Sequence, residues 1–250
     1  MIPARSLAAT ALAFLASLPH AVAQKPSAKT DTTPTVRYTI PLLVPTGAKT
    51  RVALRGKNLA TVKTATSATE GVKVKFVAAR KAAPPNNYSA ERMGDSEVDV
   101  EVEVPKGATE AVLTVGDVTF PLALAEGTVA ETEPNDGFTQ AQEIAVPSVV
   151  RGVIQREKDV DVFRVAGRAG QTLHIEVEAA KLGSPLDAML TLYDANGQVI
   201  QAVDDTPGSA DPSLAFTLPR DGAYLISVMD AGDLGHGAYG YRLRVSLAKP

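Results

Sequence analysis

The chain has 250 residues and contains neither cysteine nor tryptophan. Without cysteine there can be no disulfide, no thiolate metal site and no cysteine nucleophile. Without tryptophan, and with aromatics at only 5% of residues, it lacks the exposed rings on which a carbohydrate platform is usually built. Histidine is also scarce. Only His174 and His236 lie outside the first twenty residues. His174 stands beside Glu176 on the polar side of an alternating stretch, and His236 lies in the glycine-rich run 232–237, so both read as surface histidines. No G-x-S-x-G, H-E-x-x-H or phosphate-cradling glycine loop is present. A nucleophile with a base and an orienting partner is therefore not in view, and the chain reads as non-enzymatic. A cryptic secreted hydrolase using an acidic cleft is the alternative, since a pair of carboxylates can serve such chemistry.

Long apolar runs are missing as well. The longest is residues 6–18, preceded by Arg5 and followed by Ala21-Val22-Ala23. A positive start, a short apolar stretch and an A-x-A site describe a secretory signal peptide over residues 1–23, too short to span a bilayer. An N-terminal helix of the fold is the other reading. No membrane span is expected further on, and the expected location is secreted or periplasmic. Residues 24–34 form a polar Lys/Ser/Thr/Pro spacer, expected to be disordered.

Beyond the spacer the chain alternates with period two, and no helical period of useful length appears. Residues 36–44 read as a strand broken by Pro41. Residues 98–104 place valine on one side and Asp99, Glu101 and Glu103 on the other. Gly116-Asp117 turns between two short apolar runs, and residues 82–93, with Pro84-Pro85-Asn86-Asn87, read as a long loop. After a linker at 125–130 and a short helical turn near 138–143, about eight further strands are expected, among them 172–178 and 241–247. The fold class expected is all-β, with an immunoglobulin-like β-sandwich over 35–126 and a jelly-roll-like sandwich over 127–250.

Charge divides along the same line. Up to Glu126 there are 15 lysines and arginines against 11 acids, and from Gly127 onward 10 against 17. The basic half lacks interleaved aromatics and arginine clusters. Lys73 and Lys75 alternate as on a solvated sheet face, so no nucleic-acid partner is expected. The acidic half holds the most informative stretch, Glu131-Thr-Glu133-Pro-Asn135-Asp136, followed by Asp159-Val-Asp161-Val-Phe163. In extended chain, i and i+2 share a side, so Glu131, Glu133 and Asn135 form one oxygen-rich face and Asp159 and Asp161 another. Asp161 also shares its side with the core-like Phe163 and Val165. A carboxylate at the margin of an apolar face needs a cation or hydrogen-bond donors, and converging hard oxygens suit calcium. A turn with surface acids, some paired with Arg151, Arg156 or Lys158, accounts for the same residues. Asp204, Asp205 and Asp211 read as solvated or turn-capping acids.

The acidic stretch and the motifs after it, in their order and spacing, resemble the bacterial pre-peptidase C-terminal domain over residues 129–247. They are Gly152, Asp159-x-Asp161-x-Phe163, Gly170-Gln171, Leu186-Asp187, Leu190-x-Leu192-x-Asp194-x-x-Gly197, Asp204-Asp205, Leu218-Pro-x-Asp221-Gly222-x-Tyr224 and Tyr241-x-Leu243. The resemblance implies a non-catalytic β-sandwich of exported proteins, related to collagenase domains that bind calcium and collagen. Carried over residue by residue, it implies a calcium set of Glu131, Glu133, Asn135, Asp136, Asp159 and Asp161. Collagen binding carries over poorly, because it depends on exposed aromatics and Tyr193 and Tyr241 lie in strands. Pro45-Thr-Gly47 followed by Thr50-x-Val52-x-Leu54-x-Gly56-x-Asn58-Leu59 is similar to an IPT/TIG immunoglobulin-like module. The function expected is an exported binding or accessory protein, calcium-stabilised, whose partner is an extracellular protein or polysaccharide or an exported enzyme.

Overall fold

Alternating valines and acids build the centre of the first sheet. In the computed structural model, which describes residues 32–85 and 88–248, Val98, Val100 and Val102 are fully buried while Glu97, Glu101 and Glu103 face outward. The expected signal peptide and all but the last three residues of the expected spacer lie outside the described residues. Among the described residues, nine strands precede residue 126: β1 (Thr35–Ile40), β2 (Leu43–Val44), β3 (Lys49–Lys57), β4 (Ala65–Ser67), β5 (Lys73–Lys81), β6 (Ser96–Glu103), β7 (Val112–Val115), β8 (Val118–Pro121) and β9 (Ala123–Leu124). One sheet runs β1-β3-β6-β5, a second β4-β7-β8, and β2 pairs with β9 in parallel. Their facing side chains, including Leu54, Val100 and Leu113, form one core with Leu59 from the turn between β3 and β4. Pro41 separates β1 from β2, since it has no N–H for a ladder. The loop expected at 82–93 ends in a four-residue helix, α1 (Ala90–Met93), whose start is capped by the Ser89 hydroxyl accepting from Arg92 N–H.

Ten strands follow: β10 (Val129–Ala130), β11 (Gln142–Glu143), β12 (Ser148–Val153), β13 (Val160–Gly167), β14 (Thr172–Glu178), β15 (Ala188–Tyr193), β16 (Val199–Val203), β17 (Ser213–Thr217), β18 (Gly222–Asp230) and β19 (Gly240–Ala248). They make two five-stranded sheets, β10-β12-β19-β14-β17 and β11-β13-β18-β15-β16. From β12 to β15 successive strands alternate between the sheets. Phe163, Val165, Leu173, Ile175, Leu190, Ile226, Leu243 and Val245 fill the space between them.

Two differences from the sequence reading concern what lies between the sandwiches. Residues 142–143 are strand β11, not part of a helical turn, because β13 offers an open edge on which they pair in parallel at Gln142↔Phe163. Residues 129–130 of the expected linker likewise pair in parallel with β12, at Val129↔Val150. The segment 129–143 thus begins on one sheet and ends on the other, crossing the end of the sandwich. Tyr38 of β1 and Met93 of α1, each 1% exposed, belong to the core of the second sandwich rather than the first.

Candidate metal centre

The crossing segment brings the acidic motif over the mouth between the two sheets. Beyond β10, Glu131 N–H donates to Arg151 O at 3.0 Å, and four residues later Asn135 O accepts from Val162 N–H at 2.9 Å. The first bond fixes the segment to β12 and the second to β13. Gln142 closes it from behind, accepting from Thr132 N–H at 2.7 Å and donating to Ala130 O at 3.2 Å. Asp159 precedes β13 and Asp161 lies within it, so the two acidic pieces meet here.

Of the six residues expected, three converge on one point, and Glu131 lies against Asp161. Carboxylate oxygens of Glu133, Asp159 and Asp161 lie within 4.8 Å of one another. Asn135, Asp159 and Asp161 are buried, and Glu131 and Glu133 are half-buried. One oxygen of each carboxylate is engaged: Glu131 Oε1 accepts from Val153 N–H (2.8 Å), Glu133 Oε2 from Asn135 N–H (3.1 Å), Asp159 Oδ2 from Gln155 N–H (2.6 Å) and Asp161 Oδ2 from the Tyr241 hydroxyl (2.6 Å). The other oxygen of each, and both amide atoms of Asn135, are buried without a hydrogen-bond partner. Asp159 Oδ1 has an ion pair at 3.4 Å to the exposed guanidinium of Arg156. Asp136 is exposed at the rim, where Arg156 donates to both its oxygens at 2.9 Å.

Two residues that the sequence reading did not assign to the site shape it. Tyr241, fully buried on β19, reaches across the core to Asp161. Gly152 on β12 lies opposite Tyr241 in the ladder. A Cβ on Gly152 would lie 2.3 Å from the Tyr241 hydroxyl oxygen and 2.6 Å from Glu131 Oε2. The Gly152 position is therefore open because these two side chains use the space. Tyr241 was legible only as an apolar-face residue of a strand, and Gly152 only as part of a family pattern. Arg156 was legible as a nearby counter-charge.

Burial pushes the Asp161 carboxyl up to about 9, with the charge of Glu131 adding to it. Burial likewise pushes Glu131 up to about 7, with Glu133 and Asp159 contributing. Asp159 moves in the same direction, again chiefly through burial. Carboxylates brought this close without a counter-ion resist ionisation. A hard divalent cation relieves that resistance, and the donor set of four carboxylates and one amide oxygen, without nitrogen or sulfur ligands, is of the kind that calcium takes. The residues therefore fit calcium. A second acidic group, Asp187, Asp204 and Asp205, is exposed. Asp211 caps the turn at 180–182, accepting from the N–H groups of Ala179, Ala180 and Lys181. His236 is half-buried rather than a free surface residue, its Nδ1 accepting from Ala238 N–H at 3.1 Å.

Residues 159–229 match the family model described as the bacterial pre-peptidase C-terminal domain. The chain carries such a domain. The matched range begins at Asp159, so the segment that supplies Glu131, Glu133 and Asn135 enters ahead of it. A probable subtilase-type serine protease of Deinococcus radiodurans is 34% identical over 99 residues, covering 38% of this chain and 14% of the protease. This chain thus spans only about a seventh of that curated relative. Among solved structures, the pre-peptidase C-terminal domain of a Bacillus anthracis collagenase aligns over 47% of this chain and all of its own, at 12% identity and TM-score 0.34. PliG of Salmonella Typhimurium, a periplasmic inhibitor of g-type lysozyme, aligns over 43% of this chain and all of its own, at 18% identity and TM-score 0.30.

Proposed function

We propose that the chain is an exported, non-catalytic accessory protein whose pre-peptidase C-terminal domain is fastened by calcium, and that it serves an extracellular protein, a polysaccharide or an exported enzyme. The observation that carries the calcium reading is the concentration of buried polar atoms without hydrogen-bond partners. Among the described residues, eight buried side-chain nitrogen and oxygen atoms lack hydrogen-bond partners, and six of them belong to Glu131, Glu133, Asn135, Asp159 and Asp161. Each such atom is destabilising by about 1–3 kcal/mol if left alone, so the cluster calls for an occupant. Glu131, Glu133, Asn135, Asp159 and Asp161 would hold the ion, with Asp136 and Arg156 at the rim. The bound ion would neutralise the carboxylates and tie the crossing segment to both sheets. The burial of Asp159 and Asp161 argues against the hydrolase alternative, since those carboxylates do not face a cleft that a substrate could enter. The accessory reading is supported by the domain itself and by its occurrence in a probable protease.

The test is titration calorimetry and thermal unfolding of the mature chain with calcium and with chelator. Calcium at 100-fold excess over Kd stabilises the folded state by about 2.7 kcal/mol. Asp159→Ala combined with Asp161→Ala removes both the heat of binding and the shift in melting temperature, while Asp204→Ala on the exposed group leaves both intact. No calcium binding to the unaltered chain, with a melting curve indifferent to chelator, would show the acids to be structural turn residues.

A further inference from the structure

The metal centre is joined to the first sandwich by two routes, each only a few residues long. The first runs through the loop 154–159. Its backbone is laced to residues 233–239 by three hydrogen bonds: Lys158 N–H to Asp233 O at 3.0 Å, His236 N–H to Ile154 O at 2.9 Å and Ile154 N–H to Tyr239 O at 3.1 Å. Gly235 is pressed so closely on this loop that a Cβ there would stand 1.8 Å from Arg156 O. On its other side Gly235 is held by Tyr88 of the first sandwich. The Tyr88 hydroxyl donates to Gly235 O at 2.7 Å and accepts from Gly235 N–H at 3.1 Å. The Tyr88 ring stands edge-on to Tyr239 at 5.8 Å, and Arg92 lies over the other ring at the same distance.

The second route runs through Tyr241, the residue that donates to Asp161. Leu42 packs on Gly240, its neighbour, where a Cβ would lie 2.7 Å from that of Leu42. A crevice beside it is lined by Pro41, Leu42 and Leu43 from the first sandwich and by Glu131 and Gly152 from the second.

We propose that cation occupancy of the acidic centre and docking of the two sandwiches are one coupled equilibrium, with Tyr88 as the latch that transmits it. This rests on the calcium reading above. Without a cation, the buried oxygens of Glu131, Glu133, Asp159 and Asp161 that lack partners gain them from water when 154–159 and 129–136 move apart. The first movement drags the backbone that Tyr88 grips, and the second opens the crevice at Leu42. With a cation in place both contact surfaces are held in the geometry that fits the first sandwich. Coupling of this kind is reciprocal. If calcium favours docking by a given factor, docking favours calcium by the same factor.

The absence of cysteine makes the test clean. Lys63→Cys and Gln201→Cys place one spin label on an exposed site of each sandwich in the otherwise unaltered mature chain. Calcium is expected to narrow the distance distribution between them, and chelator to broaden it. Tyr88→Ala is expected to raise the calcium Kd about 5- to 10-fold, within the usual range of such coupling, and to broaden the distribution even with calcium bound. Tyr88→Phe, which keeps the ring and loses only the hydroxyl bonds, is expected to move both readouts the same way by less. Calcium bound with equal affinity by all three chains, and a label distance indifferent to calcium, would overturn the coupling and leave the calcium site standing. Absence of calcium binding in the unaltered chain would remove both.

Discussion

Gly152 shows how much of the acidic cluster depends on a single missing side chain. Its neighbours leave no room for a methyl group: the Tyr241 ring, the Tyr241 hydroxyl and Glu131 Oε2 all lie closer than a real Cβ could approach. Gly152→Ala must push Tyr241 off Asp161 or Glu131 off the cluster. Overpacking of this kind destabilises by about 1–3 kcal/mol. Urea unfolding should show a loss of that size, and calorimetry should show weaker calcium binding. Unchanged stability in both assays would mean that Tyr241 and Glu131 are less tightly seated than their geometry indicates.

At the scale of elements, both sandwiches set acids of one strand against bases of a neighbouring strand. In the first, Glu97, Asp99, Glu101 and Glu103 of β6 lie between Lys49, Arg51 and Arg55 of β3 and Lys73, Lys75 and Arg80 of β5. Their pairs include Arg51–Asp99 at 2.9 Å and Lys49–Glu101 at 3.1 Å. Lys73 and Lys75, read from the sequence as a solvated face, are exposed but paired with Glu103 and Glu101. The bases of this sheet are therefore largely paired within it, which leaves few of them free to attract an anionic partner.

In the second sandwich Glu178 of β14 is buried against Arg242 and Arg244 of β19, with Lys181 above it. Burial alone would raise the Glu178 carboxyl, but the hydrogen bonds from Lys181 and the two arginines outweigh it and hold the group down at about 2. The sign of the stability effect follows. A depressed folded-state value contributes stability above the ordinary glutamate range and loses it as pH falls from about 4.5 toward 2. Because Lys181 and Arg244 face water, the contribution is discounted to about 2 kcal/mol. The difference in unfolding free energy between the unaltered chain and Glu178→Gln should be constant above pH 5 and shrink steadily as pH falls from about 4.5 toward 2. A difference independent of pH would assign Glu178 a packing role only.

On the scale of the whole molecule, the question is how far the sandwiches stand apart. Each has its own sheets and its own core, and we expect residues 127–250 to fold alone. That fragment, however, lacks Tyr38 and Met93, which fill its core from the first sandwich, and loss of a large buried side chain typically destabilises by about 2–5 kcal/mol. The fragment should give dispersed amide resonances and yet unfold at lower urea than the same sandwich in the full chain. A soluble fragment without dispersion would show that the two sheet pairs form a single folding unit.

Much of this could be read from residues alone, because alternation is a local property. The valines of β6, the apolar sides of β14 and β19, the break at Pro41 and the oxygen-rich faces of 131–135 and 159–161 all follow from period two within a few consecutive residues. What the local pattern could not contain is register between distant strands. Asp161 meets the Tyr241 hydroxyl across 80 residues of sequence, and Gly152 makes room for that meeting from a third strand. Residues 142–143 show no strand pattern of their own. They become a strand because β13 has an unpaired edge, and backbone groups next to such an edge are satisfied by pairing with it. Tyr38 and Met93 look like core side chains in any reading, but which core they enter is decided by how two sheets dock. The amino-acid sequence determined the all-β character, the two sandwiches and the identity of the acids. Only the tertiary structure decided that Glu133 meets Asp159 and Asp161, and that Tyr88 and Leu42 of the other sandwich stand within a few residues of them.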